Sequence, residues 1–180
     1  MLGSHGIIGK ILALPEFILV IALARLAGAA LRARQAPVLR VFMIAEIALL
    51  LAFFLLAVAF GPFPDPDSPA ALLTSFAGIA AMALQNAFQR VHLSSLPPTT
   101  LMTGNTTQAT IDAVDLIMGT APAQTKETRA RFARVALSIF WFALGCALSA
   151  TLYWLVGFWC LGIAVLVGVA TAAMRVDGKR

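Results

Sequence analysis

The sequence predicts an all-α protein of the polytopic membrane class: a helical bundle of about five spanning helices plus one polar, re-entrant or broken helix. Three observations predict it. Of 180 residues, 61% are hydrophobic and 12% are charged, about half the charged share of an ordinary soluble domain, and the mean hydropathy is +0.92. The apolar residues fall into runs of 18 residues or more, long enough as helices to cross a hydrocarbon core of roughly 30 Å. The basic residues gather in the short segments between those runs, as they do in the loops of membrane proteins.

Five runs qualify as spans: 11–31, 39–60, 69–90, 135–155 and 157–174. The first, ILALPEFILVIALARLAGAAL, carries Pro15, Glu16 and Arg25 and lacks the small-residue cleavage site of a signal peptide, so it reads as a retained span. The second is the most hydrophobic, with Glu46 as its single charge. The third begins apolar and finishes with Gln85, Asn86, Gln89 and Arg90. The last two are joined by a very short turn near Val156 and Gly157, bracketed by Tyr153, Trp154, Phe158 and Trp159 as an interfacial aromatic belt would be.

Loop charge sets orientation. Arg32, Arg34 and Arg40 place the connection between the first two spans in the cytoplasm. The next loop, GPFPDPDSP, has no Lys or Arg and belongs outside. Arg90 and His92 return the chain to the cytoplasm, where the connection with Lys126, Arg129, Arg131 and Arg134 also belongs. Arg175, Lys179 and Arg180 put the C-terminus there too, so the chain is expected to be multi-pass in the plasma membrane, the inner membrane of a cell that has two. The net charge of +5 thus reflects loop placement, not a nucleic-acid surface.

Between the third and fourth spans lies a polar, threonine-rich segment, PPTTLMTGNTTQATIDAVDLIMG, residues 97–119. Asn105, Gln108, Asp112 and Asp115 follow one another at offsets of three, four and three, which lines them along one face of a helix. Ile111, Val114 and Met118 fall on a different, apolar face. Polar groups are costly in a bilayer unless they meet a cavity, another helix or water. Both ends of the segment are flanked by cytoplasmic charge, which favours a re-entrant or broken helix over a full crossing, with Pro97, Pro98 and Gly104 as break points. Gly104 also permits close backbone approach or a left-handed turn.

The run AMALQNAFQRVHLSSLPPTTLMTGNTTQATIDAV resembles the YoaK-like family of multi-pass membrane proteins, the domain of unknown function 1275. The words that carry the likeness are Leu84-Gln85-Asn86-Ala87, Thr99-Thr100 and Met102-Thr103-Gly104-Asn105, with Thr107 and Asp112 downstream. The resemblance implies an internally duplicated plan in which the opening span and a first TGN segment are missing here. Residues 1–180 then form a single integral membrane domain, 1–60 the remnant of a first repeat and 69–174 a second. The basic connection at 32–40 and the uncharged turn at Gly157 give the matching elements opposite orientations, the pattern of inverted-topology repeats.

The candidate site is therefore Thr103, Gly104, Asn105, Gln108, Asp112 and Asp115, faced by Gln85 and Asn86. As a functional surface the stripe lines the route of a small solute or ion; as a structural one it hydrogen-bonds between helices. Arg90 either pairs with Asp112 or Asp115 or snorkels to the cytoplasmic surface. Glu16 and Glu46 are lone acids in apolar spans: as functional groups they couple to protons, and as structural ones Glu16 lies near the membrane edge and Glu46 is a neutral, hydrogen-bonded acid. Ala24 and Gly28, Gly145 and Ser149, and Ala164, Gly168 and Ala172 are small residues one turn apart that mark close helix packing, within the chain or in a homo-oligomer. Cys146 and Cys160 lie in apolar runs as small hydrophobes, and no metal-ligand spacing, cofactor motif or catalytic set occurs. The expectation is an integral membrane protein and not an enzyme: a carrier or channel-like protein, or alternatively a non-transporting scaffold or assembly subunit, or a truncated inactive relative. Its partners would be the lipid bilayer and a small solute or ion, with no cofactor.

Overall fold

In the computed structural model, residues 6–92, 102–119 and 125–177 are described. They are helical almost throughout, with no strand among them. Six helices follow in order: α1 (Ile7–Ala33), α2 (Val38–Phe60), α3 (Pro69–His92), α4 (Met102–Met118), α5 (Thr125–Val156) and α6 (Leu161–Asp177). Four stretches are long and apolar enough to cross a membrane: α1, α2, Pro69–Gln89 of α3, and Lys126–Met174, which comprises α5, a 3-10 turn (Gly157–Cys160) and α6. The expected turn at Gly157 is present, and Gly157 adopts a φ of 59° that suits glycine.

The exposure pattern is that of a lipid-solvated protein. The buried apolar residues are mostly small: Ala24, Ala57, Ala71, Ala81, Ala83 and Ala109. Large ones stand outside, with Leu14, Leu26, Trp154 and Leu166 each at least 65% exposed. A soluble core would invert this arrangement; in hydrocarbon the large chains meet lipid while small residues let backbones approach. The apolar helices are thus in contact with the bilayer.

The chain divides into two compact units, Met1–Phe88 with Leu155–Arg180, and Gln89–Trp154. In the first, the loop between α2 and α3 closes three elements at one end. Asp67 takes the backbone N–H of Gly6 at 3.1 Å on Oδ2 and that of Gly9 at 3.4 Å on Oδ1, capping the α1 N-terminus where orphan donors and the helix dipole favour an anion. The adjacent Ser68 caps α3 through its Oγ, which accepts the N–H of Ala71 at 3.3 Å, with Pro69 in the first helical position. Phe63 of the same loop packs edge-to-face on Phe158 of the 3-10 turn, at 5.7 Å between centroids. A Cβ on Gly61 would lie 2.5 Å from the Phe158 ring and 2.5 Å from the Ala57 carbonyl oxygen, so that close approach requires glycine. Tyr153, Trp154 and Trp159 are exposed, and Trp159 also packs edge-to-face on Phe54 at 5.8 Å between centroids.

At its other end α1 stops in a Schellman arrangement: Gln35 (φ 54°) donates to the Arg32 carbonyl at 3.0 Å and Ala36 to that of Leu31 at 2.9 Å, after which Pro37 opens the way into α2. Gly28 faces Phe42 of α2, where an added Cβ would sit 3.4 Å from the ring, and Gly168 of α6 faces Ile47 of α2 at the same distance. Those two small residues pack helices within the chain. Gly145 does not: nothing lies within 4 Å of its Cβ direction, and Ser149 is exposed too. Glu16 sits nine residues beyond Ile7, half-buried, its Oε2 shielded and without a hydrogen-bond partner among the described residues.

In the second unit, the residues Lys126–Arg134, expected as a connection, are the opening turns of α5. Hydropathy finds only the apolar part of a helix, and TKETRARFAR continues that helix beyond it with alanine, arginine and glutamate, all good helix formers. Gly104 corrects a further expectation. It lies inside α4, with no positive φ, and none of the described residues stands within 4 Å of its Cβ direction, so it does not break that helix. Pro97 and Pro98 fall outside the described residues.

Candidate functional site

The polar stripe forms as a helix face. Asp112 is fully buried, and Asn105, Gln108 and Asp115 are half-buried, whereas Ile111, Val114, Ile117 and Met118 stand exposed. Gln108, one turn before Asp112, donates its Nε2–H to Oδ1 at 2.8 Å. The charge partner comes from α5: Arg131 grips the carboxylate in a two-point fork, Nε to Oδ2 at 2.8 Å and Nη2 to Oδ1 at 2.6 Å. This planar match of guanidinium and carboxylate gives the strongest of side-chain contacts, with fixed geometry.

The fork is asymmetric in exposure. The Asp112 side chain is 0% exposed while that of Arg131 is 50% exposed. Hydrogen bonds from Arg131 hold the Asp112 carboxyl below its ordinary range, against the opposing effect of burial. Asp115 and Glu127 add negative charge around the guanidinium. A covered anion is thus neutralised by a cation with one side still open, an arrangement that can read the charge of a small species without bringing it into the packed interior.

The remainder of α4 has a split outer surface. Thr106, Thr107 and Thr110 of its first half are exposed, and Thr110 Oγ donates back to the Thr106 carbonyl at 2.8 Å. The second half exposes the apolar Ile111, Val114, Ile117 and Met118. Such a helix is polar at its start all round and lipid-compatible only toward its end.

Of the residues expected at the site, Gln108 and Asp112 are in direct contact. Asn105 and Asp115 share their face and are both engaged in interactions. Thr103 belongs to the first turn of α4, its side chain outside the description. Gln85 is exposed and Asn86 half-buried on α3, in the other unit. The sequence does not point to Arg131 as the partner of Asp112; Arg90, for which it offers pairing or snorkelling, has a side chain outside the described residues. Reading 125–134 as helix would have exposed the signal, because Thr128, Arg131 and Val135 then share a face, and Thr128 and Val135 are both buried. No group of three or more potential metal-ligating side chains occurs among the described residues.

Fold and site together define a class: a multi-helix integral membrane protein with a buried carboxylate–guanidinium fork on a polar helix. The chain belongs to the family described as Protein of unknown function (DUF1275), whose pattern matches residues 2–174. The resemblance carried by the LQNA and MTGN words is thereby established. No curated protein and no solved structure matches it.

Proposed function

We propose that this protein is a carrier or channel-like protein for a small polar solute or ion, and not an enzyme. The observation that carries the reading is the Asp112–Arg131 fork, a completely covered anion beside a half-open cation on a polar helix of a membrane protein. A buried ionisable pair in a membrane protein is a functional candidate by default. The route runs along the Asn105–Gln108–Asp112–Asp115 face of α4, past Thr103 and Gly104. The exposed threonines of the first half of α4 support a re-entrant helix that opens to water at one end. Loop charge supports a plasma-membrane setting with the C-terminus in the cytoplasm.

The test is uptake by reconstituted vesicles across a panel of small anions, cations and neutral polar solutes. Asp112→Asn keeps size and shape but removes the charge, and is expected to lower uptake about tenfold or more, the factor carried by one charged hydrogen-bonding partner. Wild-type vesicles that move nothing in the panel, or an Asp112→Asn variant as active as wild type, would overturn the reading. The competing role, a non-transporting scaffold, draws support from the open Gly145 and Ser149 face of α5. Gly145→Leu distinguishes the two, since a scaffold loses its assembly and a carrier keeps its uptake. Gly168→Leu would not, because Gly168 packs against Ile47 inside the chain.

A further inference from the structure

α2 and α6 touch closely at one level and part at another. At Gly168 the helices are as near as a glycine allows, with Ile47 and Leu50 of α2 at 3.4 and 3.8 Å from its Cβ direction. A turn further along α6, Ala172 and Ala173 are too short to fill the space opposite Met43 and Ile44. The result is a groove of about 520 Å³ at the N-terminal end of α2, walled by aliphatic side chains. Arg40 is the single charged residue in its lining among the described residues.

A dry groove of this size does not stay empty in a bilayer. Packed interiors leave few voids larger than a water molecule, and an apolar wall offers water none of the partners it needs. What lies beside it in the membrane is hydrocarbon. The basic end of the groove restricts the choice further, because Arg40 stands exposed at the start of α2 and Arg32 and Arg34 precede it in the same connection. Among the described residues no acidic side chain lines the groove. From these observations we infer that the α2–α6 groove is a binding site for one phospholipid of net negative headgroup charge, its acyl chain between Ile44, Ile47 and Val169 and its phosphate on Arg40. Arginine suits the phosphate through paired N–H donors, and a basic pocket between helices at a membrane surface attracts anionic lipid. The site lies wholly within the first unit and is independent of the α4 face.

The experiment is native mass spectrometry of the full chain released from nanodiscs of phosphatidylglycerol, of phosphatidylcholine, or of an equal mixture. The expected result is one retained phosphatidylglycerol, preferred over phosphatidylcholine by about fivefold, the factor that one arginine near an anionic headgroup supplies. Arg40→Gln is expected to abolish that preference while a lipid is still retained, and Arg34→Gln to reduce it less. Ala172→Trp fills the groove and is expected to lose the retained lipid; Ile44→Trp, at a position already exposed, repeats the test if Ala172→Trp does not fold. Equal retention of the two lipids by wild type, or an unchanged lipid in a folded tryptophan variant, overturns the proposal. So does efficient crosslinking between chains carrying Ala173→Cys, which would assign the groove to a second copy.

Discussion

Arg131 and Asp112 contribute unequally to the fork they make. Asp112 is wholly covered, so without its partner it would be a charge with no water to solvate it, and such groups are among the costliest in a protein. Arg131 is half exposed and can turn to water. Removing the arginine therefore harms the fold more than removing the acid. Arg131→Gln is expected to lower the thermal unfolding temperature in detergent clearly more than Asp112→Asn, which keeps the shape and the Gln108 contact. Equal effects would show that the carboxylate finds another partner. The pH dependence has a definite sign. The carboxyl is held below its ordinary range in the folded state, so its contribution is fully present above the unfolded value and is lost as pH falls through the folded one. The part of the stability that Asp112 contributes is then constant through neutral and mildly acidic pH and is lost only in acid. In Asp112→Asn that part of the acid decline disappears.

At the scale of elements, the loop of residues 61–68 holds together parts of the chain far apart in sequence. Its Asp67 closes α1 and its Ser68 closes α3, while Phe63 covers the 3-10 turn. Asp67→Ala is expected to destabilise the first unit by about 1 kcal/mol, the usual effect of losing a side-chain cap, read as a lower unfolding midpoint. Asp67→Asn should recover most of that loss, since an amide oxygen still accepts; a variant no weaker than wild type would mean that water replaces the cap. Sequence shows the elements but not this closure. Apolar runs, prolines and glycines locate α1, α2 and α3 within a few residues, because hydropathy and helix breaking are local properties. That Asp67 reaches Gly6 depends on tertiary geometry 61 residues apart in the chain. The start of α5 escaped for another reason: Lys126–Arg134 is a good helix without being an apolar one. The missed start also concealed Arg131, whose face of α5 exists only once those residues are helical.

For the molecule as a whole, the two faces of the membrane are written in charge, and the geometry of the first unit agrees with it. The α1 N-terminus, the acidic loop carrying Asp65 and Asp67, and the 3-10 turn meet at one end. At the other, Arg40 and the last turns of α6 border the same groove. If that basic end is cytoplasmic, the connection at Arg34 and the C-terminus share a side, and the proline-rich loop lies opposite. α4 then decides the topology. It is 17 residues long, about 26 Å at 1.5 Å per residue, barely enough to cross, and its threonine-covered first half is unsuited to hydrocarbon. A full crossing would carry Lys126, Arg129 and Arg134 outside, whereas re-entry keeps them in the cytoplasm. Single cysteines at Arg34, Pro64 and Lys126, all exposed positions, separate the two in a background where Cys146 and Cys160 are replaced by alanine. A membrane-impermeant maleimide applied to intact cells is expected to label residue 64 alone, and to reach 34 and 126 only after the cells are opened. Labelling of residue 126 in intact cells would overturn the re-entrant reading of α4.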